Sequence, residues 1–200
     1  MKRMLLTAAA IFMVSNLSMA ASIGPCLSRS ICLSNEIQRG DAAQFAAVAR
    51  NYPSGTYVWL SGPGGDVREA LDIGDIIKKR GFSAVVSRDN GLCASACALL
   101  FLSGYHAIIE RNSLLVFHEG AYAADSTPLR DEDADYIADR VVAWGGVTKR
   151  QIWILLHSAP PSGGRPGTEA WARQLGFQFS MVPSFLGMWQ SCPSKFCVAF

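Results

Sequence analysis

The chain has 200 residues, of which 50% are apolar and 17% are charged. This balance is typical of a globular chain, because disordered segments combine low hydrophobicity with high charge. The formal net charge is only +2. Binding to nucleic acid or to an anionic membrane relies on clustered Lys and Arg, so neither kind of partner is expected.

A secretory leader is predicted at the N-terminus, over residues 1–20. Basic residues precede an uncharged apolar stretch, and Ser18 and Ala20 are small residues of the kind that a signal peptidase recognises. The mature chain would begin at Ala21. It would carry 16 basic and 16 acidic residues, because the leader holds two of the 18 basic residues and none of the 16 acidic ones. The leader predicts a periplasmic or secreted protein, and the residues before Cys26 do not favour a lipid anchor there.

The cysteines form three close couples along the sequence. An even number in an oxidising compartment predicts disulfides, and the spacing lacks the paired C-x-x-C couples of a zinc site. Local pairing within each couple is one connectivity, and an alternative links the N-terminal couple to the C-terminal one. We expect all six to be oxidised, with the two central cysteines bonded or close enough to bond. The couples are Cys26 with Cys32, Cys93 with Cys97, and Cys192 with Cys197.

Strand-like and helix-like patterns alternate along the first half of the mature chain. Asp41 is the predicted N-cap of the first helix, and Gly81 is the predicted stop of the second. The β-branched and aromatic run TYVWLSG predicts a short buried strand, which ends in two glycines after a proline. In chain order, the predicted elements are a strand at 31–37, a helix at 42–50, a strand at 56–62, a helix at 66–81 and a strand at 82–87.

The second half changes from strands to helices after His118. Residues 91–109 contain no charged side chain, but polar residues interrupt them, so we expect a buried helix, a turn and a strand rather than a membrane span. Thr148 and Gln151 fit a capping box. The predicted elements are a helix within 93–104, strands at 106–109 and 113–119, and helices at 129–144, 148–158 and 169–175. This order predicts one α/β domain over residues 21–200, with a largely parallel sheet and C-terminal helices.

Three segments carry residues suited to nucleophilic chemistry. Gly64 and Gly65 end a strand just before a helix, where backbone N–H groups and the helix dipole can stabilise an oxyanion. Ser95 lies at a strand-to-helix turn among small neighbours, which leave room for a carbonyl to approach its hydroxyl. His118 ends a strand, and an imidazole can take a proton from serine near neutral pH. The pattern predicts a serine nucleophile with a histidine base.

These segments resemble the proteolytic subunit of the Clp protease. Residues 91–104, GLCASACALLFLSG, are similar to that family's nucleophile segment, and residues 112–119, NSLLVFHE, to the segment that ends in its catalytic histidine. With LSGPGGDV at residues 60–67, the motifs follow the family's order and approximate spacing over residues 30–180. The resemblance implies a Clp protease/crotonase-like fold of repeated ββα units, in a periplasmic branch of the family.

The same resemblance implies a role for each site residue. Ser95 matches the nucleophile and His118 the general base, while the amides of Gly65 and Ala96 match the oxyanion hole. The implied substrate is a peptide or protein, cleaved through an acyl-enzyme without a metal or cofactor. A homo-oligomer is expected from the fold, whereas no ATPase partner is expected outside the cytoplasm.

Two departures from the family's pattern bear on activity. Cys93 and Cys97 flank Ser95, where the family has small residues; a disulfide would brace this turn, whereas free thiols would allow a cysteine mechanism. The family's third catalytic residue, an aspartate, has no counterpart, because residues 158–167 contain no acid. Alternative groups that could orient His118 are a backbone carbonyl, the neighbours His157, Ser158 and Ser162, and the aspartates Asp131, Asp133, Asp135 and Asp139 of the preceding helix.

Three functions from different classes are compatible with the sequence. The first is an exported serine hydrolase, most readily a peptidase. The second is a non-catalytic binding module that retains the fold and the oxyanion pocket. The third is a crotonase-type acyl-thioester enzyme, although acyl-CoA is not expected outside the cytoplasm. The other histidines, His106 and His157, and the tryptophans are expected to be structural.

Overall fold

Helices pack against a mostly parallel sheet in the computed structural model, which describes residues 20–27, 29–87, 91–122, 125–160, 165–167, 179–182 and 192–199. The predicted leader up to residue 19 and the predicted helix at 169–175 lie outside these residues. The elements, in chain order, are β1 (Ser22–Pro25), β2 (Ser30–Ser34), β3 (Glu36–Ile37), α1 (Asp41–Ala49), β4 (Tyr57–Leu60), β5 (Gly64–Gly65), α2 (Val67–Arg80), β6 (Ser83–Val86), β7 (Leu92–Ala94), α3 (Ala96–Ser103), β8 (Ala107–Glu110), β9 (Leu114–Phe117), α4 (Asp131–Ala143), α5 (Lys149–Leu156), β10 (Arg165–Gly167), β11 (Phe179–Val182) and β12 (Phe196–Ala199).

Seven strands form the central sheet, in the order β1-β2-β4-β6-β8-β12-β11. All neighbours in this sheet are parallel except β1 and β2, which form an antiparallel edge. A second sheet has the order β10-β9-β7, and β3 pairs with β5. The prediction of an α/β chain with a largely parallel sheet is confirmed.

The local sequence determines where the helices nearest the small sheets begin and end. Asp66 caps α2 by accepting hydrogen bonds from the backbone N–H groups of Arg68 and Glu69. Gly81 ends α2 in the left-handed conformation, as predicted. Helix α3 is apolar, and all eight of its residues are buried. Because α3 is buried along its whole length, the residues at its two ends are held in place.

The first predicted strand and the first predicted cap differ from the structure. Residues 31–37 form two strands rather than one, because Asn35 has a φ of 73° and turns the chain into a different sheet. The N-cap of α1 is Gly40, with a φ of 98°, and not Asp41. Asp41 is instead the first residue of the helix, and its carboxylate is buried.

All six cysteines are in local disulfides. The bonds are Cys26–Cys32, Cys93–Cys97 and Cys192–Cys197, as expected for pairing within each couple. The alternative that links the two chain ends is wrong. Cys32 lies in β2 and Cys197 in β12, with three strands between them. Neighbouring strands lie about 4.8 Å apart, so this distance far exceeds the reach of a disulfide.

None of the helices in the described ranges is long and apolar enough to cross a bilayer. The uncharged stretch at 91–109 is divided among β7, α3 and β8, as the expectation of a helix, a turn and a strand largely anticipates. The capping box of Thr148 and Gln151 is confirmed at the start of α5.

Candidate active site

Ser95 and His118 follow two neighbouring parallel strands. β7 and β9 are paired with Ala94 opposite Val116, and the backbone N–H of Ser95 donates to the carbonyl of Val116 at 2.8 Å. His118 comes directly after Phe117, the last residue of β9. The register of β7 and β9 thus brings the two predicted residues to the same end of the small sheet.

The backbone of Ser95 is strained. Its φ is 56° and its ψ is −123°, a combination that costs a non-glycine residue about 1–3 kcal/mol. Ser95 is the N-cap of α3, yet its side chain makes no capping hydrogen bond. A serine held on a sharp strand-to-helix turn is the arrangement that exposes a nucleophilic hydroxyl. Strain of this kind is concentrated at functional sites, so it supports the choice of Ser95.

Gly64 allows β5 to pack directly against the Ser95 turn. A Cβ on Gly64 would lie 2.6 Å from the Cβ of Ser95 and 2.9 Å from the backbone N of Ala96. Gly64 also has a φ of 108°, which side chains rarely tolerate. Gly64, the first of the two glycines that follow the predicted strand, is therefore required by close backbone packing at the candidate nucleophile.

Gly65 and Ala96, the predicted oxyanion residues, line the same cavity as Ser95. A Cβ on Gly65 would overlap the carbonyl oxygen of Ile37, which fixes this glycine against β3. Ala96 begins α3, and amides in the first turn have no carbonyl partner within their helix. Both residues lie at the N-terminal, positive end of a helix, where a backbone amide can stabilise an oxyanion.

His118 is oriented by a backbone carbonyl. Its Nδ1 lies 2.6 Å from the carbonyl oxygen of Glu119. A carbonyl only accepts hydrogen bonds, so Nδ1 carries the proton and donates it. In the neutral ring, Nε2 is then the unprotonated nitrogen that can act as a base. Within the described residues, neither Nε2 nor the Ser95 hydroxyl has a hydrogen-bond partner.

A cavity of about 650 Å³ holds all four predicted site residues, Ser95, His118, Gly65 and Ala96, in its wall. This volume is within the range of small-molecule and substrate sites. Much of the remaining wall consists of apolar side chains, namely Ile37, Val67, Leu99, Phe117, Leu129, Ile137 and Leu156. The cavity can therefore hold an apolar acyl or side-chain group next to the serine.

One side of this cavity is formed by a loop that the sequence does not identify as part of the site. Tyr122 lies in the loop after β9 and lines the cavity, and its hydroxyl donates to the carboxylate of Asp133 in α4. Arg130 pairs with the same carboxylate at 3.1 Å. The hydrogen bond from Tyr122, followed by the contacts with Arg130, lowers the pKa of Asp133 below its usual value. The sequence signal of this loop is only its polar composition, which many loops share.

Two exposed arginines in the cavity wall are also not identifiable from the sequence. Arg39 follows β3, and Arg68 lies in the first turn of α2, beyond Gly65. The positive charge of Arg68 is a further, smaller cause of the lowered pKa of Asp133. Single arginines beside a predicted helix start have no distinctive pattern, so the fold alone reveals their position.

The aspartates of α4 do not orient His118 in this structure. Only Asp133 of the four lines the cavity, and it is paired with Tyr122 and Arg130. Asp135 accepts a hydrogen bond from Trp153 at 2.7 Å. The remaining two, Asp131 and Asp139, are absent from the cavity wall.

The neighbours considered as orienting groups are also engaged elsewhere. The hydroxyl of Ser158 donates to Leu155 at 2.8 Å, and the Nδ1 of His157 lies 2.8 Å from the carbonyl of Trp153. Ser162 lies outside the described residues. Of the alternatives from the sequence, the backbone carbonyl is therefore the one present at His118.

Cys93 and Cys97 are joined across the Ser95 turn, and both are buried. Neither has a thiol in this state, so the oxidised protein offers no cysteine nucleophile there. The bond instead spans the strained residue. The other predicted structural histidine, His106, contacts the carbonyl of Ser194 at 2.8 Å and is not in the cavity wall.

Within the described residues, no group of three or more His, Cys, Asp or Glu side chains is placed to hold a metal ion. Comparison with protein-family models finds no family that matches the chain, and no curated protein sequence matches it.

Proposed function

We propose that the protein is an exported serine hydrolase, a peptidase, in which Ser95 is the nucleophile and His118 the general base. The observation that carries this proposal is the strained Ser95 backbone beside a cavity that His118, Gly65 and Ala96 also line. A residue that merely caps a helix needs neither a strained backbone nor a histidine in the wall of the same cavity.

In the proposed reaction, the Ser95 hydroxyl attacks a carbonyl carbon of the substrate while Nε2 of His118 takes the hydroxyl proton. The negative charge that develops on the carbonyl oxygen faces the amides of Gly65 and Ala96. The intermediate then expels its amine, which receives the proton from His118, and leaves an acyl group on Ser95. A water molecule, deprotonated by His118, hydrolyses this ester and restores the serine.

The resemblance to the Clp protease supports a peptide or protein as the substrate, and a Clp protease/crotonase-like fold for the domain. Parallel strands, glycines before α2 and a serine before α3 are compatible with that fold. We also propose a periplasmic location after removal of residues 1–20, consistent with three disulfides. We propose further that the protein forms a homo-oligomer and acts without an ATPase partner.

A non-catalytic binding module is the second candidate, and one observation favours it. The partner of His118 Nδ1 is the neutral carbonyl of Glu119 rather than a carboxylate. A carboxylate stabilises the imidazolium that forms during the reaction, and a neutral partner in the best-studied serine proteases lowers kcat by about 10⁴. Slow turnover, or none, is therefore the expected difference from a complete triad.

A fluorophosphonate probe, which reacts with activated serines, tests the proposal. We expect the mature protein to be labelled at Ser95, Ser95→Ala to abolish labelling, and His118→Ala to slow it at least about a hundredfold. His157→Ala, which changes an exposed histidine outside the cavity wall, is the matched control and should label at the wild-type rate. Intact mass and peptide mapping identify the labelled residue. A folded wild type that stays unlabelled at neutral and mildly alkaline pH would favour the binding module.

A further inference from the structure

A buried carboxylate faces the predicted first residue of the mature chain. Asp41 is only 4% exposed, and its Oδ2 accepts a hydrogen bond from the backbone N–H of Gln38 at 2.7 Å. The backbone nitrogen of Ala21 donates to the same oxygen at 3.4 Å. Ala21 is itself buried, because β1 begins at the next residue and pairs with β2. The nitrogen is therefore held at this position by the sheet.

Asp41 forms no ion pair with Lys, Arg or His anywhere in the described part of the chain. A buried carboxylate without a cation is costly, even when backbone amides bind it. The amides of a helix N-terminus offset part of this cost, since Asp41 lies in the first turn of α1. A positive charge at the nitrogen of Ala21 would offset more of it.

We propose that removal of the leader after Ala20 leaves the α-ammonium group of Ala21 paired with the Asp41 carboxylate. This ion pair stabilises one wall of the cavity. Signal peptidase hydrolyses the Ala20–Ala21 bond with one water molecule, which gives a carboxylate on Ala20 and an ammonium group on Ala21. A neutral amide donor is thereby replaced by a charged one, and charge-assisted hydrogen bonds are roughly twice as strong.

The wall in question leads directly to the candidate oxyanion site. The Asp41 oxygen that faces Ala21 also binds the amide of Gln38, and Gln38 and Ile37 line the cavity. The carbonyl of Ile37 accepts the N–H of Asp66 at 2.8 Å, and Gly65 packs against Ile37. Removal of the leader would therefore stabilise the segment with Ile37 and Gln38, against which Gly65 packs. The ion pair itself does not require Ser95 to be a nucleophile.

Four proteins test the pairing: chains that begin at Ala21 or at Ala20, each with Asp41 or with Asp41→Asn, released from a cleavable fusion. One extra residue moves the charged amine about 3.8 Å along the chain and restores an amide at Ala21. We expect Asp41→Asn to lower the Tm of the chain that begins at Ala21 by at least about 6 °C, and that of the longer chain by less than half as much. Equal losses in the two chains would refute the ion pair.

Glu69→Gln is the matched control, because Glu69 accepts the N–H of Ala42 at the same end of α1 at 2.9 Å but does not contact Ala21. Its effect on Tm should be the same in both chains. If Asp41→Asn prevents folding of both chains, Nα-acetylation of the chain that begins at Ala21 replaces it. Acetylation should then lower the Tm to that of the longer chain, and an unchanged Tm would overturn the proposal. Labelling of Ser95 is measured separately from Tm. Failure of the hydrolase proposal can therefore be distinguished from failure of the ion-pair proposal.

Discussion

Helix α3 has a disulfide-bonded segment at each end, and the two ends differ in what those segments hold. At the N-terminal end, Cys93–Cys97 spans Ser95, whose backbone is strained and whose hydroxyl makes no cap. At the C-terminal end, Cys192–Cys197 spans Lys195, whose amine donates to the carbonyl of Gly104, the C-cap residue of α3. One end is therefore open to a cavity, and the other is closed by a side-chain donor.

This difference shows which features indicate a site. A local disulfide is present at both ends, so it does not by itself mark a functional residue. Strain in a non-glycine backbone and a cavity wall occur together only at Ser95 among the residues of these two segments. Lys195 fills a helix end with a hydrogen bond, which is a structural role. Substitutions at each end of α3 test whether the two ends differ in this way.

The largest effect is expected from the disulfide at the Ser95 end. Cys93→Ala with Cys97→Ala should slow fluorophosphonate labelling of Ser95 at least about tenfold, because a small displacement of a nucleophile has a large kinetic cost. Cys192→Ala with Cys197→Ala is the matched control; it should lower the Tm but change labelling less than about twofold. Labelling rates and thermal unfolding of both variants decide the point.

Two results would contradict this account of the Ser95 turn. Labelling at the wild-type rate in the Cys93/Cys97 variant would mean that the hydrogen bond to Val116 and the packing of Gly64 hold the turn unaided. Equal loss of labelling in the two variants would mean that both disulfides act on the fold as a whole.

The contrast between the two ends also explains what the sequence could predict. His118 and the glycines before α2 are identifiable because each lies where a strand pattern stops, and such ends carry chemistry in parallel sheets. Ser95 is identifiable by its small neighbours and by the similarity of its segment to the nucleophile segment of the Clp protease. The mostly parallel sheet follows from alternating strands and helices. The local disulfides follow from close spacing once the compartment is inferred.

Other features depend on long-range contacts, which no local pattern encodes. β7 and β10 have only three residues each, too few to show a period, so the small sheet that aligns Ser95 with His118 could not be predicted. The hydrogen bond between His118 and its neighbouring carbonyl depends on one side-chain rotation. The wall made by Tyr122 needs the loop after β9 to fold back on α4.

A smaller effect is expected for Asp133→Asn, which tests the cavity side of the open end. Asp133 is already paired with Tyr122 and Arg130, so it should support the wall rather than the base. Labelling of Ser95 should slow by less than about tenfold, within the range of a lost wall contact rather than a lost catalytic acid–base group. Asp135→Asn, which changes a carboxylate of the same helix that is not in the cavity wall, is the control and should leave labelling unchanged. If Asp133→Asn removes labelling as completely as Ser95→Ala, Asp133 completes a displaced triad.

The smallest effect concerns the closed end, where Lys195 is partly buried. Burial, and next the positive charge of Lys78, lower the pKa of Lys195 to about 7. The negative end of α3 favours a cation by about 0.3–1 kcal/mol, but burial acts in the opposite direction and dominates. In the unfolded chain a lysine loses its proton near pH 10.4, so between about pH 7 and pH 10 only the unfolded state binds this proton. The contribution of Lys195 to the free energy of unfolding therefore rises with pH across that window, and is at its least favourable below it.

Lys195→Met should remove this rise and increase the Tm at pH 6 by about 2–4 °C, because the lost hydrogen bond to Gly104 offsets only part of the gain. The Tm of the variant and of the wild type is measured between pH 6 and pH 9.5. The contributions of the other titrating groups are the same in both proteins, so they cancel in the difference between the two Tm values. Lys79→Met, which removes an exposed lysine next to Lys78, is the control and should keep the wild-type slope. If Lys195→Met also keeps that slope, Lys195 is charged in the folded protein throughout this range, and the closed end of α3 is held by an ammonium group instead of a neutral amine.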